Sequence, residues 1–162
     1  MTATNLLDAL KEFIENVTKD LILEVKTKQG EEKQERAPLV FQGILPRKSE
    51  PVQHVPYVLI KFLTGKDGQI TGQFEESEMK TRVIIVTYSE DNGQGYIDTL
   101  NVIDRIRIKL LETRVLNDVF GLKMPVEFTV YDDDTGPYTI GELLLSWDTP
   151  TIQREVSGIW QK

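Results

Sequence analysis

The sequence predicts an α+β fold: a mixed, mainly antiparallel β-sheet flanked by two α-helices, with a long loop or hairpin arm. Three observations carry this. Two stretches, about 5–19 and 96–112, place apolar residues at helical spacing. Several short runs are rich in β-branched and aromatic residues, among them YVLIKFL (57–63), RVIIVTY (82–88) and TIGELLLSW (139–147). The order helix, strands, helix, strands matches a sheet with both helices packed on it.

In the first helix, Leu6, Leu7, Leu10, Phe13, Ile14 and Val17 fall on one stripe, with Asp8, Lys11, Glu12, Glu15 and Lys19 outside it. Thr4 or Asn5 is expected to cap its start, because a short side-chain oxygen reaches the free amides of the first turn. LILEV (21–25) extends this helix or begins a strand, and the polar stretch 27–37 reads as a solvated loop. LVFQGIL (39–45) is a short strand. Pro51 and Pro56 make 47–56 an extended connection.

The strand 57–63 then enters a polar stretch, 64–81, that holds three glycines and four acids, Asp67, Glu75, Glu76 and Glu78. It reads as a long mobile loop or hairpin arm; a connection of this length in a compact domain is usually functional or disordered. The near-continuous apolar run of 82–88 predicts a central strand covered on both faces. In the second helix, Leu100, Ile103, Ile106, Leu110 and Leu111 form the expected apolar face. Asp98, Asn101, Arg105, Lys109 and Glu112 form the polar face, and Arg107 projects into the middle of the apolar arc. VLNDVF (115–120) is ambiguous, VEFTVY (126–131) and TIGELLLSW are strands, and Pro150 argues for a sheet edge nearby.

The chain has 162 residues, 40% hydrophobic and 28% charged, which fits one globular domain spanning 1–162, with mobile segments expected around 27–37, 47–56 and 64–81. It has no cysteine, which excludes disulfides and thiolate chemistry, and one histidine, which excludes a multi-histidine metal cage. No signal-like N-terminal segment and no apolar run of the roughly 20 residues that span a bilayer is present, so a soluble protein made in the cytoplasm is expected. A net charge of −7 lacks the basic footprint of a nucleic-acid binder.

Candidate chemistry is sparse. VYDDDTGPY (130–138) places Asp132, Asp133 and Asp134 together, and Asp132 and Asp134 would share a strand face that suits an oxygen-ligand cation. The spacing does not match a calcium loop, and Thr-Gly-Pro has a simple turn role, so an acidic surface turn is expected. Gly93-Gln94-Gly95 precedes a helix but lacks the remaining glycine and the Lys-Ser/Thr of phosphate loops. His54, between prolines, has Ser49 and Ser89 available only by type and reads as a surface histidine. Glu75, Glu76 and Glu78 resemble paired glycosidase carboxylates only in composition, and a solvated loop is expected. Arg107, a charge on an apolar face, needs a partner within the chain or across a subunit interface.

Taken together, NLLDALKEFIENV, PYVLIKFLTGKD, VIIVTYSEDNGQGYIDTLNVIDRIRIKLLE and EFTVYDDDTGPYTIGELLLSWDTPTIQREV resemble phage and prophage tail terminator (tail completion) proteins, similar to the terminator of lambda-like long-tailed phages. The likeness is one of element order and local phrases over nearly the whole chain. It implies a structural virion protein of the tail, made in the bacterial host cytoplasm, with no catalytic residues, cofactor or metal. Its partners would be itself, as a ring that is commonly hexameric, the major tail tube protein, and the head-side connector or stopper. DNA would pass through without specific binding, and no membrane would be involved. Arg107 and the arm residues Glu75, Glu76 and Glu78 are the candidate oligomer interface, and Asp132, Asp133 and Asp134 a candidate acidic surface. A head-tail connector or neck adaptor is the alternative within the virion, and a divalent-metal hydrolase using Asp132 and Asp134 is the rival from another class.

Overall fold

The computed structural model describes residues 1–47, 54–69, 75–91, 93–132 and 136–152. Two helices, α1 (Ala3–Thr18) and α2 (Gln94–Thr113), accompany eight strands: β1 (Leu23–Val25), β2 (Gln34–Arg36), β3 (Leu39–Gln42), β4 (Tyr57–Gln69), β5 (Glu75–Tyr88), β6 (Val115–Leu116), β7 (Phe120–Val130) and β8 (Tyr138–Asp148). β1 and β2 form a small antiparallel pair. The others form one curled sheet in the order β3-β4-β5-β8-β7-β6, antiparallel throughout except for β3 beside β4. The α+β expectation holds.

α1 begins at Ala3, two residues before the start that a Thr4 cap would give. Thr2, not Thr4 or Asn5, is the cap: its Oγ1 accepts from the Asn5 amide at 3.3 Å, and Asn5 Oδ1 accepts from the Thr2 amide at 2.9 Å. This reciprocal pair satisfies two otherwise free amides. Leu6, Leu10 and Ile14 are fully buried, as the stripe predicts.

Both helices lie on one face of the sheet. Their buried stripes merge with Val58, Ile60, Val83, Ile85, Leu143, Leu145 and Trp147, which alternate along β4, β5 and β8. Burial of each such side chain contributes about 1.5–3 kcal/mol. Trp147 satisfies its indole N–H on Thr81 Oγ1 at 3.0 Å.

α2 docks through an arc that hydrophobicity alone misplaces. The buried residues are Gly95, Thr99, Val102, Ile103, Ile106 and Leu110, while Leu100 and Leu111 are only half-buried. Thr99 belongs in the core because its hydroxyl donates to the Gly95 carbonyl at 2.9 Å and lies 2.8 Å from Thr87 Oγ1. Arg107 therefore sits at the flank of the buried arc, not in its middle. Gly141 on β8 lets this helix approach: a Cβ there would come within 2.7 Å of Thr99 Cγ2 and 2.8 Å of Ile103 Cδ1.

Several other expectations are corrected. Residues 34–36, placed in a solvated loop, form β2. The ambiguous 115–120 is a tight β6–β7 turn with Asn117 and Asp118 at positive φ, which these short polar side chains tolerate. β8, before Pro150, is central, not an edge; the proline follows the last paired residue, so its missing donor costs no ladder bond. His54 is buried, not on the surface. Its Nε2 lies 3.0 Å from the Pro46 carbonyl, its ring meets Phe41 edge-on, and Arg36 donates to its carbonyl at 3.1 Å.

Candidate functional site: the β4–β5 arm and the α2 flank

The stretch 64–81 holds strand where the sequence left loop or arm. β4 and β5 continue as an antiparallel hairpin, with Thr64 opposite Lys80, Lys66 opposite Glu78 and Gln69 opposite Glu75. One register shift, between Phe62 and Thr64, marks where the hairpin leaves the core.

The arm has an open side. β3 pairs with Tyr57–Ile60, the first four of the thirteen residues of β4, so the nine from Lys61 to Gln69 have no strand on their outer edge among the described residues. That edge is about 30 Å long at strand rise. An open edge offers a row of backbone donors and acceptors to another strand. Phe62 and Leu63, 40% and 49% exposed, sit at its base. The opposite sheet edge is guarded. β7 carries Pro125, which has no donor, and its pairing with β8 is irregular between Lys123 and Glu127.

The glutamates of the arm are strand residues in defined geometry, which corrects the solvated-loop expectation. Lys123 on β7 reaches Glu78 at 3.1 Å, Glu76 at 3.5 Å and Asp148 at 3.6 Å. This lysine clamps the root of the arm to β7 and β8. Its hydrogen bond to Glu78, with attraction from Asp148 and Glu76, raises the ammonium above the ordinary lysine value against a smaller opposing effect of burial. Beyond the clamp, Thr149 donates to Ser77 through its amide at 3.0 Å and its hydroxyl at 2.7 Å, and Ser77 donates to Asp67 at 2.6 Å. A cavity of about 410 Å³ opens there, lined by Asp67, Glu75, Ser77, Thr151 and Ile152 among others.

Arg107 has its carboxylate within the chain: its Nη2 donates to Asp104 at 2.9 Å. Its guanidinium also lies 4.7 Å from the ring centre of Phe128 on β7, a cation–π stack. Arg107 and the three glutamates do not meet within one copy.

Of the acidic triplet, Asp132 follows β7 at the end of the sheet opposite the arm. Asp132 is exposed, and Asp133 and Asp134 lie outside the described residues. Among the described residues, no three His, Asp or Glu side chains group closely enough to hold a metal ion. Of the two serines named beside His54, Ser89 is buried and accepts from the Asp91 amide at 3.2 Å, and Ser49 lies outside the described residues. Gly93 starts α2 at φ 88° with no side-chain cap.

One polar cluster was not foreseen. On the sheet face away from the helices, Glu142 accepts from both Arg82 and Tyr131. The Glu142 bond is the leading cause that raises Arg82 and Tyr131 above their ordinary values. Strand alternation hints at Arg82 and Glu142 as outward residues, but only the register of β5 against β8 brings them together. A depression of about 530 Å³ lined by Glu127, Thr129, Glu142 and Leu144 lies beside them.

No family model and no curated protein matches the chain. Among solved structures, one that bears no functional name is similar at 11% identity, over 91% of this chain and 97% of its own, with a TM-score of 0.44. That likeness carries no argument about function. Among the described residues no helix is long and apolar enough to cross a membrane.

Proposed function

We propose that this chain is a ring-forming tail terminator, a structural protein that caps a phage tail tube and joins it to the head-side connector. The observation that carries the reading is the β4–β5 arm, which runs past the core with an edge open over nine residues. An arm of this kind adds a strand or a clasp to a neighbour. A closed ring needs heterologous contacts between two different faces, and arm and helix flank differ in kind. The two ends of the sheet also differ, one carrying the arm and the other the exposed Asp132 after β7. An end-to-end asymmetry of this sort suits a ring with one side toward the tube and the other toward the head.

On this reading the protein is no enzyme and needs no cofactor. Its partners are further copies of itself, in a ring that is commonly hexameric in the resembling family, the tube protein and the head-side connector. The net charge of −7 suits DNA passing through the ring without adhesion. Its place is the tail of the virion.

The test is electron microscopy and native mass spectrometry of the full chain, alone and with polymerising tail tube protein. Rings with a central channel, and tubes whose growth stops with density at one end, are expected. A monomer that leaves tube length unchanged contradicts the reading. A ring that binds the head-side complex but not tube ends points instead to a connector.

A further inference from the structure

From its flank beside β7 round to its solvent side, α2 carries apolar residues that nothing in the chain covers among the described residues. Tyr96 and Ile97 are 47% and 48% exposed, and Phe128 is 44% exposed beneath Arg107. Arg107 is incompletely satisfied there: its Nη2 has Asp104, but its Nε is shielded from water and has no acceptor. A buried donor left unpaired is destabilising, so an added acceptor there is favoured. This flank is an unfinished surface, apolar at one end and carrying at the other the Arg107 guanidinium, which is paired once, with Asp104.

The arm carries the complementary pattern. Phe62 pairs with Thr81, and strand alternation puts Glu75, Ser77, Met79 and Thr81 on one face of the arm. That face is apolar at its base, at Phe62 and Met79, and acidic at its tip. Glu75 is exposed and has no ion-pair partner among the described residues. Phe62 and Glu75 are separated by the six steps from Thr81 to Glu75, about 20 Å at strand rise. Ile97 and Arg107 are ten residues apart on α2, about 15 Å at helical rise. The long Arg and Glu side chains span the difference.

One copy cannot make this match with itself. Phe128 is opposite Leu143, and Leu143 opposite Val83, so Arg107 stands near the level of Val83. Glu75 lies eight residues farther along β5, about 26 Å away at strand rise and pointing off the end of the sheet.

The geometry points to the arm of one copy seating on the α2–β7 flank of the next, with Phe62 against Tyr96 and Ile97 and Glu75 against Arg107. This rests on the ring reading and names its contact. The carboxylate gives the guanidinium a second acceptor beside Asp104, and Phe62 removes the α2 stripe from water. Because arm and flank are different surfaces, the contact is head-to-tail and repeats from copy to copy.

The absence of cysteine makes a direct test clean. Phe62→Cys and Ile97→Cys are made as separate single variants, mixed and mildly oxidised. A disulfide-linked dimer is expected in the mixture and in neither variant alone. In parallel, Glu75→Arg and Arg107→Glu are each expected to raise the concentration needed for assembly about tenfold or more. The two swaps combined in one chain restore it. Thermal melts confirm that each variant folds. Rings that form with no mixed cross-link and no charge-swap rescue overturn the proposal, place another occupant on the α2 flank, and leave the ring reading standing. A Phe62→Cys variant that links to itself overturns it in favour of a two-fold contact. A wild-type chain that stays monomeric and caps no tube contradicts both.

Discussion

The β4–β5 hairpin is two structures in one pair of strands. Its lower half, with Val58, Ile60, Val83 and Ile85 at 0–1% exposure, is the centre of the core under both helices. Its upper half, from Phe62 outward, has no helix over it and most of its β4 residues exposed. Backbone pairing is continuous across both halves apart from the one register shift. What changes is the source of stability. The lower half is held by apolar burial, whereas the upper is held by ladder bonds, the Lys123 clamp and the Ser77–Thr149 contacts. A hairpin with no hydrophobic face is marginal by itself. On the ring reading proposed above, an arm in that state, with an open edge, is the segment that contacts the neighbouring copy.

The division can be broken by matched substitutions. Ile60→Ala is expected to cost about 3 kcal/mol, because it opens a cavity among helix and sheet side chains. Phe62→Ala, two residues on, should cost about 1 kcal/mol or less, since much of that ring is already in water. Urea unfolding of both variants reads the difference, and equal costs would mean that the core extends into the arm.

A glycine pair sharpens the same contrast at smaller amplitude. Gly141→Ala pushes a methyl against Thr99 and Ile103 and should cost about 2 kcal/mol. Gly68→Ala on the arm meets nothing nearer than Lys66 Cε at 3.8 Å and should stay within about 0.5 kcal/mol. Melting temperatures of the two variants decide it.

A third effect is confined to the end of β5 away from the arm. There the hydrogen bond to Glu90, with burial and nearby Glu24 adding to it, pushes the Tyr88 phenol up to about 12. The folded state holds this proton more tightly than the unfolded chain, whose tyrosines titrate near 10. The stabilisation is therefore complete below about pH 10 and is lost as pH rises toward 12. Tyr88→Phe should flatten that part of the stability–pH curve, and an unchanged slope would remove Tyr88 as its source.

The readable parts of the sequence were those that pack. Leu6, Leu10 and Ile14, and the alternation of Val83 and Ile85, carry a period because one face is buried. Beyond Phe62 and Met79 at its base the arm has no such period, since its outer residues meet water or polar neighbours, and its glycines and acids read equally as loop. Its strand character comes from register and from Lys123, more than forty residues away along the chain. The same gap misplaced Arg107: Thr99 looks polar, but Thr87 and Gly95 satisfy its hydroxyl inside the core, which rotates the buried arc of α2. His54 looked exposed because nothing local announces the Pro46 carbonyl or the Arg36 guanidinium that receive it. Of the candidate site, the residue types at 75, 76, 78 and 107 were legible and their placement was not.

The central claim is that the arm builds the assembly and the core half builds the fold. Replacing Asp67–Ser77 by an Asn-Gly turn joins Lys66 to Glu78, which already face each other across the hairpin, with a two-residue connection suited to antiparallel strands. Native mass spectrometry of this variant beside the full chain should show rings for the full chain and only monomers for the shortened one, at nearly unchanged melting temperature. Rings of the same size from the shortened chain would contradict the account.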